Sequence, residues 1–261
     1  MVCIIPAKGF SRRVPQKNIK DFCGKPLLAW SIIQARCSKL ITDVYVSTES
    51  REVAAIAESY GAKIIWRDYK DTHETNGGKP ILRAMQFLQR GDNIGEEFVN
   101  MFCTSPLRKP GDIDNVIRTF HRTKANQALM FGEIDELVIY KKCGKELVRP
   151  YLSDFWRNYT MGTNSTSVCS TAWYEKQYKF MKKTSGETDT GNREAHRGFA
   201  NKLRRKIFNR RSPLTIYPCE FWQTYEADTP TDFKLCEFLM ETNILKGQGA
   251  EVYKKYAMEE E

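Results

Sequence analysis

Residues 6–18, PAKGFSRRVPQKN, gather basic side chains, Lys8, Arg12 and Lys17 among them, on a glycine-containing loop without an acid. The loop directly follows the apolar run VCII. A solvated loop ordinarily mixes signs, whereas one of a single sign attracts phosphate, either of a nucleotide or of a nucleic acid. Lys8, Arg12 and Lys17, with backbone N–H groups near Gly9 and Ser11, can form a cationic cradle of that kind. Neither GxxxxGK[ST] nor GxGxxG occurs in the chain. Far along the sequence, YEADTPTDF supplies two carboxylates, Glu226 and Asp228. On an extended segment, residues two apart point to one face. Such a pair is what Mg²⁺ takes alongside waters and phosphate oxygens. Asp228 could instead cap the helix that follows, but that use leaves Glu226 without a role.

Elements that could carry these loops are legible in the first half. VCIIP has the length and composition of a buried parallel strand, and GKPLLAWSIIQARC spaces its apolar residues as a helix with Pro26 near its first turn. DVYVSTE reads as a strand, and SREVAAIAESYG as a helix capped by Ser50 and closed by Gly61. AKIIW, KPILRAMQFLQR and EEFVNMFC continue the alternation, and a helix is expected over 112–124. Alternation of this kind predicts right-handed βαβ units and a mostly parallel sheet. Ligands of such sheets lie beyond the carboxyl ends of the strands. The loops 6–25, 67–79 and 104–111 should therefore converge on one pocket. In the second half, ELVIYKK and TSVCSTAWY are strand-like, PLTIYPCE resumes the sheet, and TPTDFKLCEFLMETN closes with a helix capped by Thr229 or Thr231.

The 261 residues suit one large α/β domain, with an excursion over 136–175 and a basic insert over 176–211. The net charge of +9 is uneven: residues 176–211 hold twelve Lys and Arg against three acids. Eight cysteines show no CxxC pair, which speaks for free thiols in a reducing compartment. Three scattered histidines give zinc little support. No apolar run reaches the length of a membrane span and the N-terminus has no signal-peptide pattern, so a cytoplasmic protein without a membrane partner is expected.

IIPAKGFSRRVPQKNIKDFCGKPLLAWSI resembles the opening of the CMP-sugar synthetases, the cytidylyltransferases of sialic, pseudaminic, legionaminic and ketodeoxyoctonic acids, whose pattern is roughly IIPARGGSKxxPxKNxxxxxGKPLIAxSI. The likeness continues through VYVSTESREVAAIAESYGAKII, TSPLRKPGDID and YEADTPTDFKLCEFL, and is weak over 133–215. It implies a Rossmann-like nucleotidyltransferase fold of glycosyltransferase-A type with a mostly parallel mixed sheet, usually dimeric. It also implies transfer of CMP from CTP to an ulosonic acid with release of pyrophosphate, assisted by Mg²⁺. By resemblance, Lys8 replaces a loop arginine, Lys17 and Asn18 match a Lys-Asn pair, and Arg67 stands near a base-contacting arginine. Gly9, Ser11 and Arg12 complete the nucleotide side, Thr104 and Ser105 face the substrate, and Lys17 and Asp228 are the catalytic candidates. Glu226 and Asp228 take the places of the metal-binding pair, usually two aspartates.

Departures cluster on the acceptor side. Phe10 stands at a second glycine, Phe102 at a glutamine thought to face the sugar, and 67–79 lacks the serine-rich sugar segment. Within the family the ending DTPTDFK and the opening DFCGKP lean towards pseudaminic or legionaminic acid. Two alternatives remain open from the residues: the same fold with another acceptor, or a diverged protein that binds nucleic acid through 176–211, where KLRRKIFNRR could equally be a solvated basic helix. His73 reads as a solvated loop histidine, and Trp156, Tyr159 and Trp173 as packing or dimer contacts.

Overall fold

The computed structural model describes residues 1–68, 78–134, 140–142, 148–150, 159–177 and 214–257. His73, Trp156, most of the loop 67–79, much of the 136–175 excursion and residues 178–211 of the basic segment lie outside the described residues.

Short apolar runs form the strands and amphipathic runs the helices between them. In chain order these are β1 (Val2–Pro6), a small hairpin β2 (Asp21–Phe22) and β3 (Lys25–Pro26), α1 (Leu27–Arg36), β4 (Asp43–Thr48), α2 (Arg51–Ser59), β5 (Lys63–Trp66), α3 (Gly78–Arg90), β6 (Glu97–Met101) and α4 (Asp112–Thr123). Then come β7 (Gln127–Ile134), β8 (Tyr140–Lys142), β9 (Val148–Pro150), β10 (Tyr159–Ser170), a helix α5 over 171–177 and β11 (Leu214–Cys219). A 3₁₀ turn, Phe221–Thr224, leads to α6 (Pro230–Leu239), a π-helical stretch Met240–Gln248 and α7 (Ala250–Ala257).

Seven strands make one sheet in the order β11-β7-β10-β6-β1-β4-β5. β1 pairs in parallel with β4 and β6, β4 with β5, and β11 with β7, while β10 runs antiparallel to both of its neighbours. β8 and β9 form a separate antiparallel pair. The mostly parallel mixed sheet expected from the sequence is present, with β10 as its reversed member.

Chain order decides where a ligand fits. From β1 the chain moves to β4 and β5 on one side, then returns through α3 to β6 on the other side of β1. The order thus reverses between β1 and β6, and the crevice beyond the carboxyl ends of these two strands is the usual ligand seat of open α/β sheets. Both loops that leave those strands carry candidate residues.

Burial fixes this frame on both faces. Cys3, Ile5, Val46, Val99 and Phe120 pack on one side with α1, α2 and α4, and Ile4, Tyr45, Phe98, Met85 and Leu88 on the other with α3. A third cluster, including Phe22, Trp30, Phe233 and Tyr253, ties the hairpin and α1 to the C-terminal helices. The described cysteines are free thiols, and burial pushes the Cys3, Cys169 and Cys236 thiols up to about 12. No helix among the described residues is long and apolar enough to cross a membrane.

The structure revises two local expectations. TSVCSTAWY is not one strand: β10 ends at Ser170 and helix begins at 171, where Trp173 packs against the α3-side core. The closing helix does not run regularly through METN, because the stretch after Leu239 widens into π-turns and kinks at Gly247.

Candidate active site

The basic loop leaves β1 and is held down by its own small residues. A Cβ on Gly9 would lie 2.6 Å from Ser50 Cβ, so only glycine lets the loop lie this close to the β4–α2 turn. The Gly9 N–H donates to Glu49 Oε1 at 2.8 Å. Glu49 Oε2 accepts from Arg67 Nε and pairs with Arg67 Nη2, both at 2.8 Å. Both side chains of this ion pair are more than nine-tenths buried. Burial opposes ionisation of Glu49, but the Arg67 charge and the Gly9 N–H outweigh it and hold the carboxyl below its ordinary range.

Asn18 closes the other end of the loop. Its Nδ2 donates to the Lys8 carbonyl at 2.8 Å, and its Oδ1 accepts from Cys103 Sγ at 3.1 Å. Asn18 thereby ties the loop after β1 to the loop after β6. Burial, with the charges of Lys17, Arg12 and Arg67 close by, lowers the Lys8 pKa from its ordinary value. Like charges gathered in this way form a seat that an anion relieves.

The loop after β6 has its own buried support. Arg108 is fully buried. Its Nε donates to the Thr166 hydroxyl at 3.0 Å, and its Nη1 to Gln34 Oε1 at 2.9 Å and Ser31 Oγ at 3.3 Å. The guanidinium also donates to the carbonyls of Phe102, at 2.8 Å, and Ser165. Burial lowers its pKa to about 10, which leaves it a cation at neutral pH. α1, β10 and the Phe102–Arg108 loop are thus bound to one group. From that loop the Thr104 carbonyl accepts the Ala227 N–H at 2.7 Å, and Ser105 Oγ donates to Glu226 Oε1 at 3.3 Å.

The segment 226–228 is not extended. The Asp228 N–H donates to the Glu226 carbonyl at 2.8 Å, which closes a tight three-residue turn. Asp228 is not the cap of α6 either. Thr229 caps it, accepting from the Asp232 N–H while the Asp232 carboxylate takes the Thr229 N–H. Asp228 faces the basic loop instead, with Lys17 Nζ on Oδ1 at 2.9 Å and Arg13 Nη2 on Oδ2 at 2.8 Å. Burial works against its charge, but these two cations prevail and hold the carboxyl below its ordinary range.

Most of the residues expected from the sequence are therefore brought together. Lys8, Gly9, Lys17 and Asn18 line the β1 side, Thr104 and Ser105 the β6 side, Glu226 and Asp228 meet them from the C-terminal segment, and Arg67 joins through Glu49. Arg12 acts on Lys8 through its charge, and Ser11 sits half-exposed on the same loop. Four of these have uses the sequence did not suggest. Gly9 and Arg67 are engaged by Glu49, Asn18 braces two loops, and Ser105 supports Glu226. Phe102 packs beside the α3-side core, whereas Phe10 is exposed on the loop. Glu49, Arg108 and Arg13 were missed. An acidic residue directly after a strand, ahead of a helix cap, was the available signal for Glu49.

Two carboxylates on one turn are hard oxygen donors, and no group of three or more metal-ligating side chains occurs among the described residues. That donor set fits Mg²⁺, which completes its shell from waters and phosphate, and does not fit a closed all-protein metal site. A hollow of about 900 Å³ opens at the opposite end of the strands, but there Lys63 pairs with Asp43 and the His121 ring nitrogen lies on Glu97.

Comparison with known proteins agrees with this geometry. Residues 2–255 match the family model described as cytidylyltransferase. The chain is 28% identical over 208 residues to a pseudaminic acid cytidylyltransferase of Campylobacter jejuni, covering 70% of this chain and 84% of that protein. It is 31% identical over 119 residues to a CMP-N,N'-diacetyllegionaminic acid synthase of Legionella pneumophila, covering 45% and 51% of the two chains. The fold superposes on a CMP:2-keto-3-deoxy-manno-octonic acid synthetase complexed with CTP at a TM-score of 0.67 and 15% identity, covering 93% of this chain and 99% of that one. With the cation-lined crevice at the β1/β6 reversal and a match spanning nearly its whole length, the chain belongs to the cytidylyltransferase family of nucleotidyl-transferring enzymes.

Proposed function

We propose that the protein transfers CMP from CTP to an ulosonic acid of the pseudaminic, legionaminic or sialic type, releasing pyrophosphate. The observation that carries this reading is the charge balance of the crevice. Lys8, Arg12, Arg13, Lys17 and Arg67 face Glu49, Glu226 and Asp228, five cations against three carboxylates. The surplus of two positive charges suits a triphosphate partly neutralised by a divalent cation.

In the reaction a sugar hydroxyl attacks the α-phosphorus of CTP and gives up its proton to solvent, the new phosphoester bond forms, and the bond between the α-phosphorus and the bridging oxygen breaks with its electron pair leaving on pyrophosphate. Charge sits on the non-bridging oxygens throughout, so positioning and electrostatics do most of the work. Lys8, Lys17 and Arg12 bind the triphosphate. Asn18 and Glu49 hold the loop that presents them. Thr104 and Ser105 form the acceptor edge and keep the 226–228 turn in place. Glu226 and Asp228 would hold Mg²⁺, which when bound neutralises triphosphate charge.

The reading extends to a cytoplasmic homodimer in which the 136–175 excursion meets its partner. Light scattering at micromolar concentration checks the assembly, and a monomer there would refute it. The function is tested by pyrophosphate release from each of the four nucleoside triphosphates with a panel of ulosonic acids. Release confined to CTP with one of these acids is expected. Equal release from ATP, or none with any acid, would overturn it.

A further inference from the structure

Asn100 is only 5% exposed, yet among the described residues its buried Oδ1 accepts no hydrogen bond. It occupies the last but one position of β6, just ahead of the loop that carries Thr104 and Ser105. In register with it stand Ile4 of β1 and Ser167 of β10. Residues paired across a ladder share a face, so the Ser167 hydroxyl is a donor close at hand. That hydroxyl lies 3.9 Å from Cys169 Sγ instead, and the amide oxygen stays without a partner. An orphaned buried oxygen costs stability, and a leucine in its place would remove the cost. Folding gives no reason for the carboxamide here. A ligand in the crevice beyond β1 and β6 gives one.

The surroundings narrow the chemistry of that ligand. Ile4, Ile81, Met85 and Phe98 are buried on the same face, with Phe102 partly buried against them. Phe102 is one pleat nearer the carboxyl end of β6, so the face begins to open there towards the crevice. One acceptor oxygen among apolar walls matches a substituent that pairs one N–H with an apolar body. An N-acylamino group has that form. In its trans amide the carbonyl points away from the N–H, so an N–H turned to Asn100 leaves the carbonyl turned to the open crevice. A hydroxyl on the same carbon is shorter and brings no methyl to the apolar walls.

We propose that Asn100 is a specificity-determining residue, whose Oδ1 accepts the N–H of an acylamino substituent on the acceptor sugar. It selects N-acylated ulosonic acids over their hydroxylated counterparts. This inference rests on the function proposed above and names the feature of the acceptor that the chain reads.

The test uses Asn100→Leu and Asn100→Ala in the full chain. The probes are N-acetylated pseudaminic, legionaminic and sialic acids, each paired with analogues in which a hydroxyl replaces one acetamido group. Pyrophosphate release gives kcat/KM for each acid. The unsubstituted chain should prefer the acetamido member of one such pair about tenfold or more, and both variants should cut that preference about fivefold or more. The loss should fall on the acetamido acid, with its hydroxyl analogue nearly unaffected. Melting of the ligand-free chain should move the other way, with Tm raised about 2 °C or more by Asn100→Leu. A merely structural role, such as holding a trapped water, predicts a lower Tm and equal losses for both members of the pair. No preference in the unsubstituted chain, or a preference unmoved in folded and active variants, overturns the inference. If the unsubstituted chain turns over none of the acids, the proposed function itself fails and the role of Asn100 with it. Turnover with an unmoved preference removes the role of Asn100 alone.

Discussion

Replacing Lys17 by alanine probes the seat at a largely buried cation. The Lys17 side chain is 11% exposed, and its ammonium lies 2.9 Å from Asp228 Oδ1. A charge-assisted hydrogen bond to phosphate contributes about 1.5–3 kcal/mol, so its loss should weaken CTP binding roughly 10- to 150-fold. The upper half of that range is expected, because removal of Lys17 also uncovers part of Asp228 beside the incoming phosphates. Folding should suffer little. Asp228 is one-third exposed and keeps Arg13, and a pair in such surroundings contributes about 1 kcal/mol or less. For a chain of this size that is a shift of roughly 2–4 °C in Tm. Calorimetric titration with CTP and a melting curve read both quantities on one sample. Adding Asp228→Asn to Lys17→Ala should recover part of the lost affinity, since the uncovered charge is then gone. Full CTP affinity in a folded Lys17→Ala protein would mean that the phosphates bind elsewhere.

Glu49→Gln should weaken CTP binding about tenfold by releasing Arg67 and the Gly9 loop, and calorimetry showing equal or tighter binding would refute that positioning role. The Glu49 carboxyl lies below its ordinary range in the folded chain, so its contribution to stability is full above the unfolded pKa and is lost as pH falls through the folded one; the acid limb of stability against pH should flatten in Glu49→Gln. Lys8 has the opposite problem, a lowered pKa in a cationic cluster, so it loses its proton below the ordinary lysine value of 10.5. CTP affinity should therefore fall on the alkaline side of that pH range with proton uptake on binding, and Lys8→Arg should remove the dependence in titrations run at several pH values. Arg108→Met should destabilise the fold by about 3–5 kcal/mol in denaturant unfolding, because it strands carbonyls and hydroxyls in the interior. A loss below about 1 kcal/mol would show that the surrounding groups find other partners.

Local pattern carried a good share of this structure. The alternation of apolar strands with capped helices in the first half predicted the parallel sheet, and Ser50 does cap α2, accepting the Val53 N–H. The loops after β1 and β6 were also placed correctly at strand ends, since period and turn chemistry are properties of neighbouring residues. What escaped depends on contacts distant in sequence. Arg108 reads as one more charge in a polar loop, yet it is buried because α1 and β10 bring four acceptors around it, on Ser31, Gln34, Ser165 and Thr166. Glu49 resembles any acid ahead of a helix; its partners Gly9 and Arg67 lie 40 and 18 residues away. An aspartate before TPTDF could cap the helix as well as the two threonines could; the folded chain gives that task to Thr229 and turns Asp228 to Lys17 and Arg13. The helix over 171–177 was hidden by a strand-like composition that runs on from β10.

Formation of the product itself tests the central claim most directly. The full chain is incubated with CTP, Mg²⁺ and an ulosonic acid of the pseudaminic or legionaminic type, and the mixture is resolved by mass spectrometry. The account predicts a species with the mass of the acid joined to CMP, appearing in equal amount with pyrophosphate and missing from Asp228→Asn. Pyrophosphate accompanied by free CMP alone, or product formed undiminished by Asp228→Asn, would contradict it.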